Sequence, residues 1–129
     1  MSSPPLVLVA DDDDDILLLV TTRLRRDGFD VIQARDGDEA LGLALEHRPA
    51  IAVLDVGMPG LDGLEVIRAI RADDATRGMR VVLLTAKAQE SDVRRGYDVG
   101  ADLYVKKPFS PADLSARVRE LADGQSGNR

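Results

Sequence analysis

The feature that most constrains the fold is a strict alternation of short apolar runs with longer segments of helical periodicity. The apolar runs cover residues 6–10, 31–34, 51–54, 80–84 and 103–105. Runs this short are typical of strands that are buried on both faces of a sheet. Five strand and helix units in strict alternation predict an α/β fold, in which a parallel five-stranded sheet carries helices on both faces.

The helical segments have recognisable boundaries. The first contains Ile16, Leu19, Val20 and Leu24 at helical spacing and is stopped by Gly28. The others cover 37–47, a segment from Leu64 to about Asp73, 91–99, and a last helix that begins at Ser110-Pro111. Serine as N-cap and proline at the first helical position favour a helix start there.

The length of 129 residues and a hydrophobic fraction of 44% fit one domain with a substantial core. We expect a flexible N-terminus at 1–5, the folded domain at 6–122 and a polar C-terminal tail at 123–129. The sequence leaves open whether this domain stands alone or belongs to a longer protein.

Charge and composition exclude several classes of function. The formal net charge of -6 argues against direct binding of nucleic acid by this domain. Cysteine is absent, so the chain has no disulfide framework and no thiolate metal site. Its first residues lack a signal-peptide pattern, and no apolar run approaches the roughly 20 residues that span a bilayer. We expect a cytoplasmic protein without membrane contact.

Polar residues follow four of the predicted strands at the point where each strand ends. Asp11 and Asp12 follow the first strand, Asp55 the third, Thr85 the fourth and Lys107 the fifth. The carboxyl ends of parallel strands lie at one edge of the sheet, where ligands bind in such folds. The sequence therefore predicts one site with three carboxylates, one hydroxyl and one ammonium group.

The predicted charges require a cation. Three close carboxylates repel one another, and the single ammonium of Lys107 does not balance them. Oxygen ligands with room for water favour Mg2+, and the only histidine, His47, lies at the end of the second helix, away from this edge. We therefore expect Mg2+ as the cofactor.

The same set of residues suits phosphoryl transfer. A carboxylate with a reference pKa of about 4 is already ionised at neutral pH, so Asp55 is a nucleophile that needs no base. Attack on phosphorus needs neutralisation of the phosphoryl oxygens, for which Mg2+, Lys107 and Thr85 are available. The expected product is an aspartyl phosphate.

These pieces together resemble the response regulator receiver family of two-component signalling. The matching segments are residues 8–12 (LVADD), 53–63 (VLDVGMPGLDG), 83–86 (LLTA), 100–102 (GAD) and 107–109 (KPF), and the likeness covers nearly all of 6–122. The resemblance implies a flavodoxin-like, doubly wound (βα)5 sheet with strand order 2-1-3-4-5. It also implies that Asp55 accepts a phosphoryl group from a sensor histidine kinase or phosphotransfer protein.

The resemblance further implies a role for each site residue. Asp12, Asp55 and the backbone carbonyl of Gly57 would hold Mg2+, with Asp11 assisting through water. Thr85 and Lys107 would contact the phosphoryl group, and Tyr104 would be the switch residue that moves inward with Thr85. A cis peptide would join Lys107 to Pro108. The domain would assist its own phosphorylation and dephosphorylation without being an enzyme. It would signal through helix 4, strand 5 and helix 5 to an unidentified effector or output domain.

Plainer interpretations stand beside these. Asp13, Asp14 and Asp15 fit a solvated helix start, and Tyr104 also fits a half-buried strand aromatic with no switching role. Lys106 is an alternative to Lys107. Dimerisation through helix 4, strand 5 and helix 5 is supported by Asp113 and Arg117 but not by Leu103.

Two departures from the family pattern concern loss of the phosphoryl group. Gly57, two residues after the acceptor, has no side chain to position water, and Lys87, two residues after Thr85, is basic. The hypothesis that follows is a long phosphorylated lifetime.

Two rival functions stand against this interpretation. A phosphatase of the haloacid dehalogenase type needs a second aspartate two residues after the nucleophile, where this chain has Gly57. Its acidic pair also comes late in the chain, whereas Asp11 and Asp12 come first. A receiver-like interaction module that is never phosphorylated remains the alternative.

Overall fold

Five strands and five helices alternate in the computed structural model, which describes residues 4–86 and 89–124. The strands are β1 (Leu6–Ala10), β2 (Asp30–Ala34), β3 (Ile51–Asp55), β4 (Arg80–Thr85) and β5 (Leu103–Lys106). The helices are α1 (Asp14–Arg26), α2 (Gly37–His47), α3 (Gly63–Ala72), α4 (Glu90–Asp98) and α5 (Pro111–Gly124).

The sheet is parallel throughout, with strand order β2-β1-β3-β4-β5. This order confirms the predicted flavodoxin-like α/β fold. β2 lies on one side of β1, and β3, β4 and β5 follow in turn on its other side. The carboxyl ends of β1 and β3 therefore flank the point where strand order reverses, which is where such sheets form a ligand crevice.

A separate apolar layer covers each face of the sheet. On one face, side chains such as Leu8, Leu54 and Leu83 pack under α2 and α3. On the other, side chains such as Val53 and Leu84 pack under α1 and α5. All five residues of β3 are buried, and burial of each large aliphatic side chain contributes about 1.5–3 kcal/mol. The two layers fix the position of the strand ends.

Aspartate is the N-cap residue of α1, α2 and α3, at Asp13, Asp36 and Asp62. Asp13 accepts hydrogen bonds from the backbone N–H groups of Asp15 and Ile16, which confirms that the end of the aspartate run is a helix start. Asp62 and Glu65 form a reciprocal capping box at the start of α3. Each such cap stabilises a helix by about 1 kcal/mol.

The predicted apolar face of α1 was partly wrong. Leu19 is 49% exposed, whereas Leu17, which the spacing left out, is buried. Five consecutive apolar residues, 16–20, fit more than one helical face, so periodicity alone does not select among them. The buried face also includes Thr21, whose hydroxyl accepts a hydrogen bond from Gln33 on β2 at 2.9 Å.

The remaining helix boundaries differ slightly from those expected. α4 begins at Glu90 rather than Ser91, and α5 continues to Gly124, two residues beyond the predicted domain limit. Among the described residues, no helix combines the length and the apolar character needed to cross a membrane.

Candidate functional site

Strand register brings the predicted residues to one edge. Ala10 of β1 pairs with Leu54 of β3, so Asp11 and Asp55 come next on adjacent strands. Thr85 is the last residue of β4. Lys107 follows the last residue of β5 and donates its backbone N–H to the Thr85 carbonyl at 2.7 Å. The sheet itself therefore positions these side chains.

Asp11, Asp12 and Asp55 form a carboxylate cluster. Each offers an oxygen, and these atoms all lie within 4.8 Å of one another. Asp11 and Asp55 are buried, whereas Asp12 is exposed. The cluster is thus open to solvent on one side, and its all-oxygen donors suit a hard divalent cation that keeps some of its water. The three residues could hold a metal ion.

Lys107 is the cation that this cluster already contains. Its Nζ donates to Oδ2 of Asp11 and to Oδ1 of Asp55, each at 3.1 Å. The neighbouring Lys106 is exposed, so the geometry distinguishes the two lysines. The Lys107-Pro108 peptide is cis, as the resemblance implied.

Ionisation in the cluster follows from burial and from these contacts. Burial raises the pKa of Asp55 above its ordinary value, although the hydrogen bond from Lys107 opposes this and Asp11 reinforces it. Burial lowers the pKa of Lys107, but its hydrogen bonds to Asp11 and Asp55 outweigh burial and leave that pKa raised. Lys107 is therefore charged at neutral pH, and further positive charge would favour ionised Asp55.

The two predicted switch residues touch each other. Thr85 is buried, Tyr104 is half-buried, and their side chains are hydrogen-bonded to each other. Burial raises the pKa of the Tyr104 hydroxyl, and the bond to Thr85 partly offsets this effect. Tyr104 thus lies on the inner side of β5, where it contacts the hydroxyl at the end of β4.

Of the two departures from the family pattern, Gly57 lies among the described residues and Lys87 does not. A Cβ added at Gly57 would lie 3.9 Å from Oδ2 of Asp55, so a side chain there would stand directly beside the acceptor. Lys87 lies outside the described residues, and its predicted role stays a prediction.

Gly63 contributes to the site in a way that the sequence interpretation missed. The sequence predicts a helix from Leu64, whereas α3 begins one residue earlier, at Gly63. A Cβ there would come within 2.7 Å of the Asp55 carbonyl oxygen and 3.1 Å of the Val56 Cα. Glycine therefore lets α3 start against the end of β3. A glycine at a predicted helix start was the available signal.

The comparisons with known proteins agree with this geometry. The profile of the response regulator receiver domain matches residues 7–119. The chain is 46% identical over 99 residues to the DNA-binding response regulator MtrA of Mycobacterium tuberculosis, an alignment that covers 77% of this chain and 42% of MtrA. It is 45% identical over 98 residues to the alkaline phosphatase synthesis transcriptional regulatory protein PhoP of Bacillus subtilis, with 76% and 40% covered. The chain thus spans about two-fifths of the length of these curated relatives.

Solved structures show the same architecture. The receiver domain of the Francisella response regulator 1452 matches with a TM-score of 0.88 and 34% identity, covering 95% of this chain and 99% of that one. The chemotaxis response regulator CheY4 of Vibrio cholerae matches with a TM-score of 0.87 and 30% identity, covering 92% and 99%.

Proposed function

The chain belongs to the response regulator receiver domain family of two-component systems, and from this premise we propose that Asp55 accepts a phosphoryl group in a Mg2+-dependent reaction. The donor would be the phosphohistidine of a sensor histidine kinase or a phosphotransfer protein. The observation that carries the proposal is the contact of Lys107 with both Asp11 and Asp55 inside the carboxylate cluster.

The residues fit Mg2+ through their chemistry. Asp12 and Asp55, with the backbone carbonyl of Gly57, would hold the ion, and Asp11 would contribute through water. When bound, Mg2+ supplies charge neutralisation for the phosphoryl oxygens. The exposed carboxylate of Asp12 leaves the cluster accessible from solvent, as a phosphodonor requires.

The chain's own groups perform the transfer. A carboxylate oxygen of Asp55 attacks phosphorus, and an O–P bond forms while the bond from phosphorus to the donor histidine nitrogen breaks. Lys107 donates to one phosphoryl oxygen and the Thr85 hydroxyl to another, so both stabilise charge that develops during transfer. The product is the aspartyl phosphate of Asp55.

The signal would leave the site through Thr85 and Tyr104. Once Thr85 bonds to the phosphoryl group, Tyr104 is held inward and the surface of α4, β5 and α5 changes. That surface would contact an effector, an output domain or a second copy of the chain. Asp113 and Arg117 are the residues that suggested dimerisation. Nε of Arg117 lies 3.9 Å from Oδ2 of Asp113, so the two form an ion pair within the single helix α5.

The phosphorylated lifetime is a separate part of the proposal. Gly57 offers no side chain to position a hydrolytic water beside Asp55, and Lys87 would shield the phosphoryl group. Timing the loss of phosphate in wild type and Lys87→Ala tests the shielding, and faster loss from wild type would contradict it.

Labelling with acetyl phosphate tests phosphoryl acceptance. Intact mass spectrometry should detect one added phosphoryl group in wild type with Mg2+, and none with EDTA or in Asp55→Asn. Absence of labelling in wild type, together with failure to bind beryllofluoride, would favour the alternative of an interaction module that is never phosphorylated.

A further inference from the structure

The loop that joins β3 to α3, residues 56–62, is closed at its base beside the carboxylate cluster. The Val56 carbonyl accepts a hydrogen bond from the Gly63 N–H at 3.0 Å, so the two ends of the loop are joined. Gly57 follows at once, and a Cβ added there would lie 3.9 Å from Oδ2 of Asp55. The base of the loop is therefore fixed next to the proposed phosphoryl acceptor.

The first turn of α2 holds the tip of the same loop. Gly37, the first residue of α2, donates its backbone N–H to the Pro59 carbonyl at 3.2 Å. A Cβ added at Gly37 would lie 1.7 Å from the Leu61 carbonyl oxygen, whereas real Cβ atoms essentially never come within 3.0 Å of another atom. Backbone thus packs directly against backbone, and no side chain fits between the helix and the loop.

Two further contacts restrict the loop. Gly60 has a φ of +75°, and a Cβ added there would lie 2.5 Å from Oδ2 of Asp38 on α2. Met58 is buried and belongs to the apolar layer under α2 and α3. The loop is therefore fastened at its base, at its tip and to the core, and the start of α2 supplies the support at the tip.

Mg2+ and Ca2+ make different demands on such a loop. Mg2+ binds oxygen ligands at about 2.0–2.1 Å in near-ideal octahedral geometry, whereas Ca2+ accepts about 2.3–2.6 Å and flexible geometry. We propose that Gly37 is a positioning residue that holds the Gly57 carbonyl through this loop, so that the start of α2 sets the preference of the site for Mg2+ over Ca2+. The inference rests on the proposed function, which assigns the Gly57 carbonyl to the metal.

The direction of the effect follows from the geometry of the loop. A side chain at position 37 would force the Leu61 carbonyl and α2 apart by more than an ångström. Because the loop is short and closed at its base, this shift reaches the Gly57 carbonyl. A displaced ligand costs more affinity for the ion with the stricter geometry, so loosening the tip lowers the preference for Mg2+.

Isothermal titration calorimetry of the full chain with MgCl2 and with CaCl2 measures both affinities directly. Gly37→Ala should raise the Kd for Mg2+ by about tenfold, as is typical of residues that orient a metal ligand, and should raise the Kd for Ca2+ by less. Gly42→Ala is the matched control, because Gly42 lies on the same helix and no atom lies within 4 Å of the added Cβ. It should leave both Kd values unchanged.

Hydrogen exchange in the wild-type chain provides a second measurement that needs no variant. If the contact between Gly37 and Pro59 favours bound Mg2+, then Mg2+ favours that contact to the same extent. Saturating Mg2+ should therefore slow exchange of the Gly37 N–H, measured by NMR, more than saturating Ca2+ does. The N–H of Gly42, in the middle of α2, should respond to neither ion.

The outcomes separate this inference from the proposed function. If wild type does not bind Mg2+, the proposed function fails. If wild type binds Mg2+ and Gly37→Ala, folded by circular dichroism, keeps the wild-type ratio of Mg2+ to Ca2+ affinity, the inference is overturned, even where both affinities fall. If Gly37→Ala does not fold, exchange of the Gly37 N–H decides, and equal exchange with and without Mg2+ overturns the inference.

Discussion

Nζ of Lys107 lies 3.1 Å from Oδ1 of Asp55, although 52 residues separate the two in the chain. The contact exists because β3 and β5 end at the same edge of the sheet, on either side of β4. It places a fixed positive charge beside the proposed acceptor before any phosphodonor arrives. Preorganised charge of this kind requires little rearrangement during transfer.

Lys107→Ala should slow phosphorylation of the chain by acetyl phosphate. Loss of one preorganised donor to a developing anion typically costs about 100-fold in rate, and we expect an effect of that order. Lys106→Ala is the matched control, because its side chain is adjacent and exposed. Initial rates of mass labelling measure both variants, and equal rates in the two would contradict the role of Lys107.

Asp27 should make the stability of the fold depend on pH. The hydrogen bond from Ser115, which donates to Asp27 at 2.5 Å, and that from Arg23 hold the pKa of Asp27 below its ordinary value. Charged Asp27 therefore stabilises the fold above its unfolded pKa of about 4, and this contribution is lost as pH falls through the folded pKa.

Urea unfolding of wild type and Asp27→Asn across a pH series measures this contribution. The difference between their free energies of unfolding should be larger at neutral pH and shrink in acid. Ser115→Ala, which removes the stronger partner, should reduce the pH dependence. If the difference in free energy of unfolding between wild type and Asp27→Asn grew as pH fell, this prediction would be contradicted.

Gly42 on α2 and Gly96 on α4 should respond in opposite ways to alanine. Gly42→Ala should raise the free energy of unfolding by about 1 kcal/mol, because alanine favours the helix and open space receives its methyl group. Gly96→Ala should lower it by about 1–2 kcal/mol, because the methyl group overpacks against Tyr104 and Leu83. Chemical denaturation measures both, and equal stabilisation would mean that the space beside Tyr104 is not required.

Arg71 at the end of α3 should matter for stability and not for phosphorylation. It donates to the Gly100 carbonyl at 2.7 Å and to Asp102 at 3.1 Å, and Asp102 also accepts the Val81 N–H at 2.8 Å. These bonds fasten the beginnings of β4 and β5, at the edge of the sheet opposite the site. Loss of one partner in a charged, half-buried network costs about 2 kcal/mol.

Asp102→Ala therefore should lower the free energy of unfolding by about that amount, while the folded variant is labelled by acetyl phosphate at the wild-type rate. Arg68→Ala is the control, because Arg68 is an exposed residue on α3, the helix that contains Arg71. It should alter stability by less than about 0.5 kcal/mol. A labelling defect in Asp102→Ala would show that the network reaches the site.

Some of this arrangement could be predicted from the sequence because it depends on strand order alone. Once the alternation indicated a parallel sheet, Asp11, Asp55, Thr85 and Lys107 had to lie near one edge, and the structure places them there. Choosing Lys107 over Lys106 needed the family resemblance, because two adjacent lysines look equivalent in the sequence.

Features that depend on packing between elements could not be predicted in the same way. The face of α1 was ambiguous because five apolar residues are consecutive. The hydrogen bond between buried Thr21 and half-buried Gln33 has no apolar periodicity to reveal it. The close approach of Tyr104 to Gly96 and its hydrogen bond to Tyr97 depend on how α4 lies against β5, which no local pattern encodes.

Locating the phosphoryl group tests the central claim most directly. After labelling with acetyl phosphate and Mg2+, reduction by borohydride converts an aspartyl phosphate into homoserine, which peptide mass spectrometry can assign to one position. We expect homoserine at position 55 and not at 11 or 12, and none without Mg2+. Modification of Asp11 or Asp12 in place of Asp55, or labelling that is independent of Mg2+, would contradict the account.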